Sequence, residues 1–455
     1  MGLAFPCNSR SVAWFGQLDV SVAFAKKDKT SKMDVNDRLE TEDELTESVA
    51  AQQADLVELA KQLIALPTPH PPGDTYEPLA RFIERWLTEA GMQVHVAQVP
   101  ADELPQRLST GARGPRLLVF SEAAGDASGP TLYLNGHYDT VPPGSGWGRD
   151  PYLPSVEDGR LYGLGATDMK GGLAAMMLAC RVLTQAKAIQ RGRLIFLASP
   201  DEEMYTQAGL VYAFDKNLIQ ADYAIVGESS GPNNVYVGMK GGIWGDITVY
   251  GRAAHGSQPD RGVNAFEKMA SLARRAEQRL KPRLAQRSSA YHFKPSGANR
   301  PTLMLGGMVN GANGARSSVP DTCTFSFDRR LIPEETVEDA ESELQGFLLA
   351  AQEADPDLKV ELQVTFRAAP MAVSPDNHLC QILGEAIRQV SGAQPTFTIC
   401  TGGFETSYFV DAGVQAITYG PGIEGCAHTA DEYTTLDGLV AAAQVYALAA
   451  ARLLG

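Results

Sequence analysis

The feature that most constrains the fold is a short apolar run, Leu132–Asn135, which passes through Gly136 into His137-Tyr138-Asp139. A buried strand with polar groups at its carboxyl end is a common way for α/β proteins to build a site. Alternation along an extended chain places His137 and Asp139 on the same side. Asp139 can then accept a hydrogen bond from one ring nitrogen of His137 while the other binds a metal. An ordinary strand-end turn with an incidental histidine fits this stretch equally well.

Acidic residues follow two further apolar runs in the same way. Arg193–Ser199 leads into Glu202–Glu203, and Asp222–Val226 leads into Glu228. An acidic run is usually a solvated surface. Carboxylates at the end of a buried strand, however, are costly unless they find partners. The two runs therefore indicate a site rather than a surface.

Asp168 lies in the turn before a helix that begins near Gly171. An aspartate at that position can simply cap the helix, which is worth about 1 kcal/mol. The glycine-rich turn resembles a phosphate-binding loop only loosely, because the P-loop spacing and its Lys-Ser/Thr ending are absent. Added to the strand-end acids, Asp168 concentrates negative charge at one edge of the predicted sheet. A divalent cation supplies the compensation that such a cluster needs.

The order of predicted elements indicates an α/β fold with two domains. Helices and strands alternate in residues 33–239 and again in 367–455, which together predict a larger domain with an open sheet. Residues 240–366 have the order βαββαβ, which predicts a small split-βαβ domain inserted into the larger one.

Three local predictions concern the N-terminal part of the larger domain. The apolar spacing of Leu45–Leu66 predicts a single helix that stops at Pro67. The proline-rich residues 67–73 predict a rigid surface connection. His70 and His95 are interpreted as unremarkable surface or strand residues.

Composition excludes several classes of function. A formal net charge of −15 argues against nucleic acid or an anionic membrane as the main partner. The six cysteines include no CxxC pair, which favours a reducing cytoplasm over a disulfide framework. No apolar run is expected to approach the ~20 residues that span a bilayer. Residues 1–32 are expected to be disordered, or an upstream extension with Met33 as the start.

Six stretches in a fixed order make the chain similar to the co-catalytic zinc metallopeptidases and deacylases. That family includes acetylornithine deacetylase, succinyl-diaminopimelate desuccinylase, aminoacylase and glutamate carboxypeptidase. The resemblance covers about residue 50 to the C-terminus. The matching stretches are Gly136–Pro142, Gly163–Gly172, Asp201–Glu203, Gly227–Glu228, Gly251–Ser257 and Ala427–Glu432.

The resemblance implies a mixed-sheet, zinc-peptidase-like catalytic domain with an inserted ferredoxin-like lid that also serves for dimerisation. It further implies two divalent metal ions, usually zinc, with cobalt or manganese as alternatives, bridged by the carboxylate of Asp168. Imidazole and carboxylate ligands suit these metals. The implied protein ligands are His137 and Glu228 for one ion, and Glu203 and His428 for the other.

The resemblance also implies roles for two residues that do not bind metal. A water held between two such ions loses its proton near neutral pH. Glu202 would take that proton and pass it to the leaving amine, as general base and then general acid. Asp139 would orient His137.

Three further residues are implied to contact the substrate. His255 would enter the site of a neighbouring subunit in a homodimer and stabilise the oxyanion, although a surface turn also explains it. Arg330 would hold a substrate carboxylate, with a salt-bridged strand end as the alternative. Whether Arg330 or Arg329 points inward depends on the register of the strand. Gly402 lies in a stretch where the substrate is expected to bind.

The chain departs from its relatives at two places near the expected substrate. Ser317 stands where many relatives carry asparagine, and Phe404-Glu405 follows Gly402-Gly403 where many carry Thr-Asp. The reaction type is therefore better defined than the substrate.

The expected function is metal-dependent hydrolysis of the amide C–N bond of an N-acyl amino acid or a short peptide-like substrate. Hydrolysis of another C–N bond, for example in an aromatic amine, stays open on the same metals. A non-catalytic relative that only binds a ligand is a third alternative. The presence of Glu202 beside the implied ligands argues against that last class, because a binding protein does not need a proton shuttle.

Overall fold

The computed structural model describes residues 41–109, 111–204, 206–311 and 316–455, in which helices and strands alternate as predicted for an α/β fold. The expectation for residues 1–32 lies outside this part of the chain. The strands are β1 (Gln93–Gln98), β2 (Leu117–Ala124), β3 (Asp126–His137), β4 (Ser155–Glu157), β5 (Arg160–Tyr162), β6 (Arg191–Ser199), β7 (Tyr223–Val226), β8 (Asn234–Met239), β9 (Gly241–Tyr250), β10 (Phe293–Lys294), β11 (Thr302–Gly311), β12 (Thr322–Leu331), β13 (Lys359–Ala368), β14 (Met371–Ala372), β15 (Thr396–Cys400), β16 (Gln415–Thr418) and β17 (Tyr433–Thr435).

The helices of the described residues follow the same order. They are α1 (Glu42–Ala51), α2 (Gln53–Ile64), α3 (Tyr76–Glu89), α4 (Leu104–Arg107), α5 (Lys170–Gln185), α6 (Leu210–Asp215), α7 (Ala265–Arg275), α8 (Lys281–Ala285), α9 (Val337–Ala354), α10 (His378–Ser391), α11 (Thr406–Asp411) and α12 (Leu436–Leu454). The sequence predicted one helix over Leu45–Leu66, which is wrong because the chain breaks between α1 and α2 at Gln52. The Gln52 side-chain oxygen accepts a hydrogen bond from Arg181 Nη2 at 2.6 Å.

A mixed sheet of ten strands forms the framework, in the order β1-β2-β6-β3-β7-β16-β8-β15-β10 with β14 beside β8. β3 runs parallel to both β6 and β7, and β7 runs parallel to β16. The carboxyl ends of parallel neighbours meet at one edge of a sheet, so the segments that follow these four strands converge there. This edge receives the histidines and acids that the sequence analysis singled out.

Both faces of the large sheet are covered, as parallel strands require. Leu132 and Leu134 of β3 belong to the apolar core on one face, which includes α2, α3, α5 and α12. Tyr133, between them, belongs to the core on the other face with Phe409 of α11. The alternation that the sequence predicted for an extended strand therefore holds in β3.

A second, antiparallel sheet has the order β11-β12-β9-β13. It packs with α7 and α9 around an apolar core of its own, which includes Ile247, Phe325 and Leu344. This is the sheet expected of an inserted domain, and the boundaries at 240 and 366 stay a prediction. One excursion was not predicted: β10, within this segment, pairs in parallel with β15 of the large sheet.

One helix of the described residues, α12, is long and apolar enough by length and composition to cross a membrane. The expectation that no apolar run approaches that length is therefore wrong. Of its most apolar window, 61% is buried inside the protein. Burial of this extent is typical of the core helix of a soluble protein.

Candidate metal centre

The sheet topology explains why distant residues meet at one point. His137 ends β3, opposite Ser199 at the end of the parallel strand β6. Glu202 and Glu203 follow β6, and Glu228 follows β7 on the other side of β3. A small sheet of the order β17-β5-β4 joins β5, which precedes Asp168, to β17, which follows His428. All five expected metal ligands are thereby delivered to the same edge.

A first group of ligand atoms surrounds His137, which is fully buried. Its Nε2 atom lies 3.0 Å from Oε1 of Glu228 and 3.2 Å from Oδ1 of Asp168. These three atoms face one another as the ligands of one ion would.

A second group surrounds His428. Its Nε2 atom lies 2.9 Å from Oε2 of Glu203 and 3.3 Å from Oδ2 of Asp168. Asp168 therefore presents one carboxylate oxygen to each group. Each of its two oxygens is thus available to a different ion, as the predicted bridging role requires.

The donor set fits two divalent cations. One nitrogen and two carboxylate oxygens in each group match the ligands that such ions prefer, and leave positions open for water and substrate. Oε1 of Glu203 is buried without a hydrogen-bond partner, an expensive state that a nearby cation would relieve. Groups of three metal-binding side chains lie within 4.8 Å of one another around His137.

Electrostatics support the same interpretation. Burial lowers the pKa of His137, but the Glu228 charge and hydrogen bonds with Asp139 and Asp168 outweigh it and hold that pKa well above its usual value. Burial and the nearby Asp168 raise the pKa of Glu228 to about 7. Hydrogen bonds with Asp168 and Glu203 raise the pKa of His428 to about 11. The negative charge of the clustered carboxylates exceeds the positive charge that the two histidines can carry, so a bound cation would balance it.

Glu202 lies beside the expected ligands, close enough to His137 and Glu228 to form a possible metal-binding group with them. Its Oε2 atom is 3.9 Å from Nε2 of His137. Burial raises the pKa of Glu202 well above its ordinary value, against the lowering effect of His137. A buried carboxyl group with a raised pKa is suited to carry a proton at neutral pH.

Asp139 makes different contacts from those that the resemblance implied. Nδ1 of His137 lies 3.1 Å from the backbone oxygen of Asp139 and 3.5 Å from its Oδ1. The carboxylate of Asp139 instead accepts the backbone N–H groups of Glu202 and Glu203, each at 3.2 Å. Asp139 thus contacts His137 through both its backbone oxygen and its carboxylate, and the same carboxylate holds the acidic turn.

Sequence reasoning missed Glu432, which is 1% exposed. Its carboxylate accepts the backbone N–H groups of Gly165 at 3.1 Å, Thr167 at 2.8 Å and Asp168 at 2.9 Å. The loop that carries Asp168 is therefore held by the acid four residues after His428. Its place at the end of the last matching stretch was the signal that could have identified it.

A cavity of about 510 Å³ opens onto this edge. Gly402 and Phe404 line it together with the expected ligands Asp168, Glu203 and His428. The ring of Tyr236 is tilted by 31° against that of Phe404, with centroids 5.6 Å apart, and the two rings form an aromatic wall. Gly402 is thus placed where a substrate would lie.

The structure does not bring Arg330 or His255 to this cavity within the described residues. Arg330 pairs with Asp328 at 2.8 Å and lies over the ring of Trp244. His255 is exposed, with Nδ1 2.7 Å from Oγ of Ser257.

Lys294 is the only lysine or arginine among the described residues that line the cavity. Its ammonium group donates to the Ser230 backbone oxygen at 2.8 Å and lies 3.6 Å from Glu424. The excursion of β10 to the large sheet is what places Lys294 there.

Comparison with known proteins defines the class. A model of Peptidase family M20/M25/M40 matches residues 133–452, which include every residue of both ligand groups. The match spans more than half of the chain. The protein is a metallohydrolase and belongs to Peptidase family M20/M25/M40.

Solved structures share the fold at low identity. A tripeptidase from Staphylococcus aureus is 22% identical with a TM-score of 0.68, covering 88% of this chain and 99% of that one. Human carnosine dipeptidase 1 is 18% identical with a TM-score of 0.66, covering 91% and 100%. A dinuclear metal-binding peptidase from Bacillus subtilis is 15% identical with a TM-score of 0.62, covering 89% and 99%.

Proposed function

We propose that the protein hydrolyses the amide C–N bond of an N-acyl amino acid or a short peptide, with two zinc ions as cofactors. One observation carries the proposal: Asp168 divides its two oxygens between a His137–Glu228 group and a His428–Glu203 group. Two ions held in this way would polarise a carbonyl and lower the pKa of a water between them.

The residues around the ions have complementary tasks. Glu202 receives the proton of the attacking water and delivers it to the leaving nitrogen, for which its raised pKa is suited. Asp139 holds the backbone of Glu202 and keeps its carboxyl group close to the ligands. Glu432 holds the Asp168 loop, so that the bridging carboxylate keeps its orientation.

The cavity defines the kind of substrate that fits. Its volume of about 510 Å³ suits a molecule of dipeptide size, because small-molecule sites are commonly ~300–1,000 Å³. The aromatic wall of Tyr236 and Phe404 offers a surface for an apolar side chain, and Lys294 offers a charge for a carboxylate. The tripeptidase and dipeptidase named above act on peptides, which is consistent with this choice.

The domain built on the four-stranded sheet β11-β12-β9-β13 is proposed as a lid and dimerisation domain. His255 lies on its exposed surface, away from the cavity of its own chain. A homodimer in which His255 completes the partner's site would account for this position.

The test is replacement of the proton shuttle. A panel of dipeptides, N-acyl amino acids and aromatic amines first identifies a substrate of the zinc-loaded protein. Glu202→Gln is then expected to lower kcat by roughly 10²–10⁴-fold, with two zinc ions still bound by elemental analysis. Glu89→Gln, at an exposed helix position, serves as the control and keeps full activity. Wild-type turnover in the Glu202 variant would contradict the proposal.

A further inference from the structure

A second buried cluster of polar side chains surrounds Asp201, the residue directly before Glu202 and Glu203. Asp201 is 2% exposed, and the side chains of His70 and Arg116 are fully buried. The interpretation of His70 as a surface or strand residue is therefore wrong. The proline-rich segment that carries it packs against the sheet edge instead of crossing the surface.

The Asp201 carboxylate uses both oxygens in this cluster. Oδ1 accepts the Tyr76 hydroxyl at 2.9 Å and lies 2.7 Å from Nδ1 of His70. Oδ2 accepts Nε of Arg116 at 2.7 Å and the Thr206 hydroxyl at 2.8 Å. Three hydrogen bonds and the His70 contact surround the carboxylate, and Nδ1 of His70 also lies 2.7 Å from the Tyr76 hydroxyl. The cluster is therefore a hydrogen-bonded anchor for Asp201, although Asp139 lies close enough to form a possible metal-binding group with His70 and Asp201.

Arg116 connects this anchor to two loops. Its Nη1 atom donates to the backbone oxygens of Gly73 at 3.0 Å, Arg113 at 2.8 Å and Gly114 at 3.1 Å. The guanidinium also lies over the ring of Tyr76, 4.7 Å from its centroid. A side chain at Gly73 would meet Nη2 of Arg116 at 2.6 Å, so the loop is built around the guanidinium.

The backbone of the His70 segment is tied to the continuation of β3. The N–H of His70 donates to the Thr140 oxygen at 2.7 Å, and the Thr140 N–H donates to the Thr68 oxygen at 3.0 Å. The Thr68 hydroxyl donates to the Tyr138 oxygen at 2.6 Å. His70 is thereby fixed to the segment that carries His137 and Asp139.

The acidic turn is consequently held from two sides. Asp139 binds the backbone N–H groups of Glu202 and Glu203, and the anchor binds the side chain of Asp201. Asp201 has a φ of +68°, a conformation that costs a non-glycine residue free energy and persists only when its surroundings enforce it. The hydrogen bonds of the anchor to the Asp201 side chain accompany this conformation.

We propose that His70, Tyr76 and Arg116 are positioning residues that fix Asp201 and, through it, the carboxylates of Glu202 and Glu203. The proposal rests on the proposed function for the roles of those two glutamates. In this proposal, the buried proline-rich segment keeps the carboxylates of the catalytic site in position. A merely structural role would predict a loss of stability without a selective loss of turnover.

The experiment compares His70→Leu with His70→Asn in the full-length, zinc-loaded protein. Leucine removes the donor to Asp201, whereas asparagine can place an N–H near the position of Nδ1. His70→Leu is expected to lower kcat by roughly 10- to 100-fold, the usual cost of losing a residue that supports a metal ligand, with KM changed less than about threefold. Loss of zinc to a chelating dye is expected to accelerate, because Glu203 is a ligand. His70→Asn should recover most of both properties.

The exposed His95 provides the matched control, since His95→Leu should leave kcat and zinc release unchanged. If His70→Leu fails to fold, Tyr76→Phe, which removes a single hydroxyl, replaces it. Tyr76→Phe should also lower kcat and accelerate zinc release. Wild-type kcat and zinc release in a folded His70→Leu or Tyr76→Phe variant overturn the proposal. Equal impairment of His70→Asn and His70→Leu also overturns it. Glu202→Gln is measured in parallel to separate the proposed function from the positioning role of the anchor. Full activity of Glu202→Gln would refute the role of Glu202 as proton shuttle. The rate of zinc release from the His70 variants would still test whether the anchor positions Glu203.

Discussion

At the scale of single residues, the site is organised by Asp168. Its two oxygens face different histidines, His137 at 3.2 Å and His428 at 3.3 Å. The sequence could predict these three residues because each follows an apolar run or a family motif. The support from Glu432 was missed although it lies in the same matching stretch as His428, because no local pattern shows that its carboxylate binds the Asp168 backbone 264 positions away.

A second prediction about single residues concerns which positively charged side chain binds a substrate carboxylate. Arg330 was expected to hold it, but in the described structure Lys294 lines the cavity and Arg330 pairs with Asp328. A hydrogen bond to a charged group is worth about 1.5–3 kcal/mol. Lys294→Met is therefore expected to raise KM roughly 10- to 100-fold for a substrate with a free carboxylate, and much less for its amide-capped analogue.

Arg330→Met provides the comparison in the same kinetic assay. It should leave the KM ratio of the free and capped substrates unchanged if Lys294 is the recognising cation. A large rise in KM with Arg330→Met and none with Lys294→Met would return the role to Arg330.

At the scale of elements, the strand ends of the large sheet place the ligands, and helix α5 packs tightly behind them. Periodicity and strand-end acids predicted most of these elements from sequence. The two-residue strand β10 could not be predicted, because its pairing with β15 depends on a contact across about 100 residues. The burial of the proline-rich segment was missed for a similar reason, since its partners Asp201 and Arg116 are distant in sequence.

The close approach of α5 to the strand end leads to a stability prediction. A Cβ at Gly172 would lie 2.3 Å from the backbone oxygen of Gly227, the residue before Glu228. Gly172→Ala must push the helix away, and overpacking of this kind costs about 1–3 kcal/mol. Chemical denaturation should show this loss of unfolding free energy, together with weaker metal binding through Glu228.

Gly346 of α9 is the matched control, because a Cβ there would meet no atom within 4 Å. Gly346→Ala is expected to stabilise the protein by up to about 1 kcal/mol, the helix propensity difference. Equal effects of the two substitutions would show that the contact at Gly172 is not tight.

At the scale of the whole molecule, the sequence pattern predicted an α/β fold, and membership of Peptidase family M20/M25/M40 agrees with it. The four-stranded sheet with its own apolar core fits the proposed lid. How subunits associate could not be predicted in the same way, because it depends on a surface of a second chain and not on any internal periodicity.

A subunit-mixing experiment tests the proposed role of His255 in the partner's site. His255→Ala and Glu202→Gln are each expected to be nearly inactive. In co-expressed mixtures, half of the dimers are mixed and each has one intact site, so about a quarter of the wild-type rate should return. The control mixes Glu202→Gln with Glu228→Ala. Each chain supplies both Glu202 and Glu228 to its own site, so both sites of the mixed dimer stay defective and no activity should return. No recovery with His255→Ala would mean that His255 does not act across the dimer.

Anomalous diffraction from zinc-loaded crystals would show whether Asp168 bridges two metal ions. Two peaks about 3.5–4 Å apart are expected, one on each side of the Asp168 carboxylate. One peak should lie at about 2.0–2.2 Å from its His137 and Glu228 ligands, and the other at the same distance from Glu203 and His428. A single peak, or a peak among His70, Asp139 and Asp201 in place of these, would mean that Asp168 does not bridge two ions.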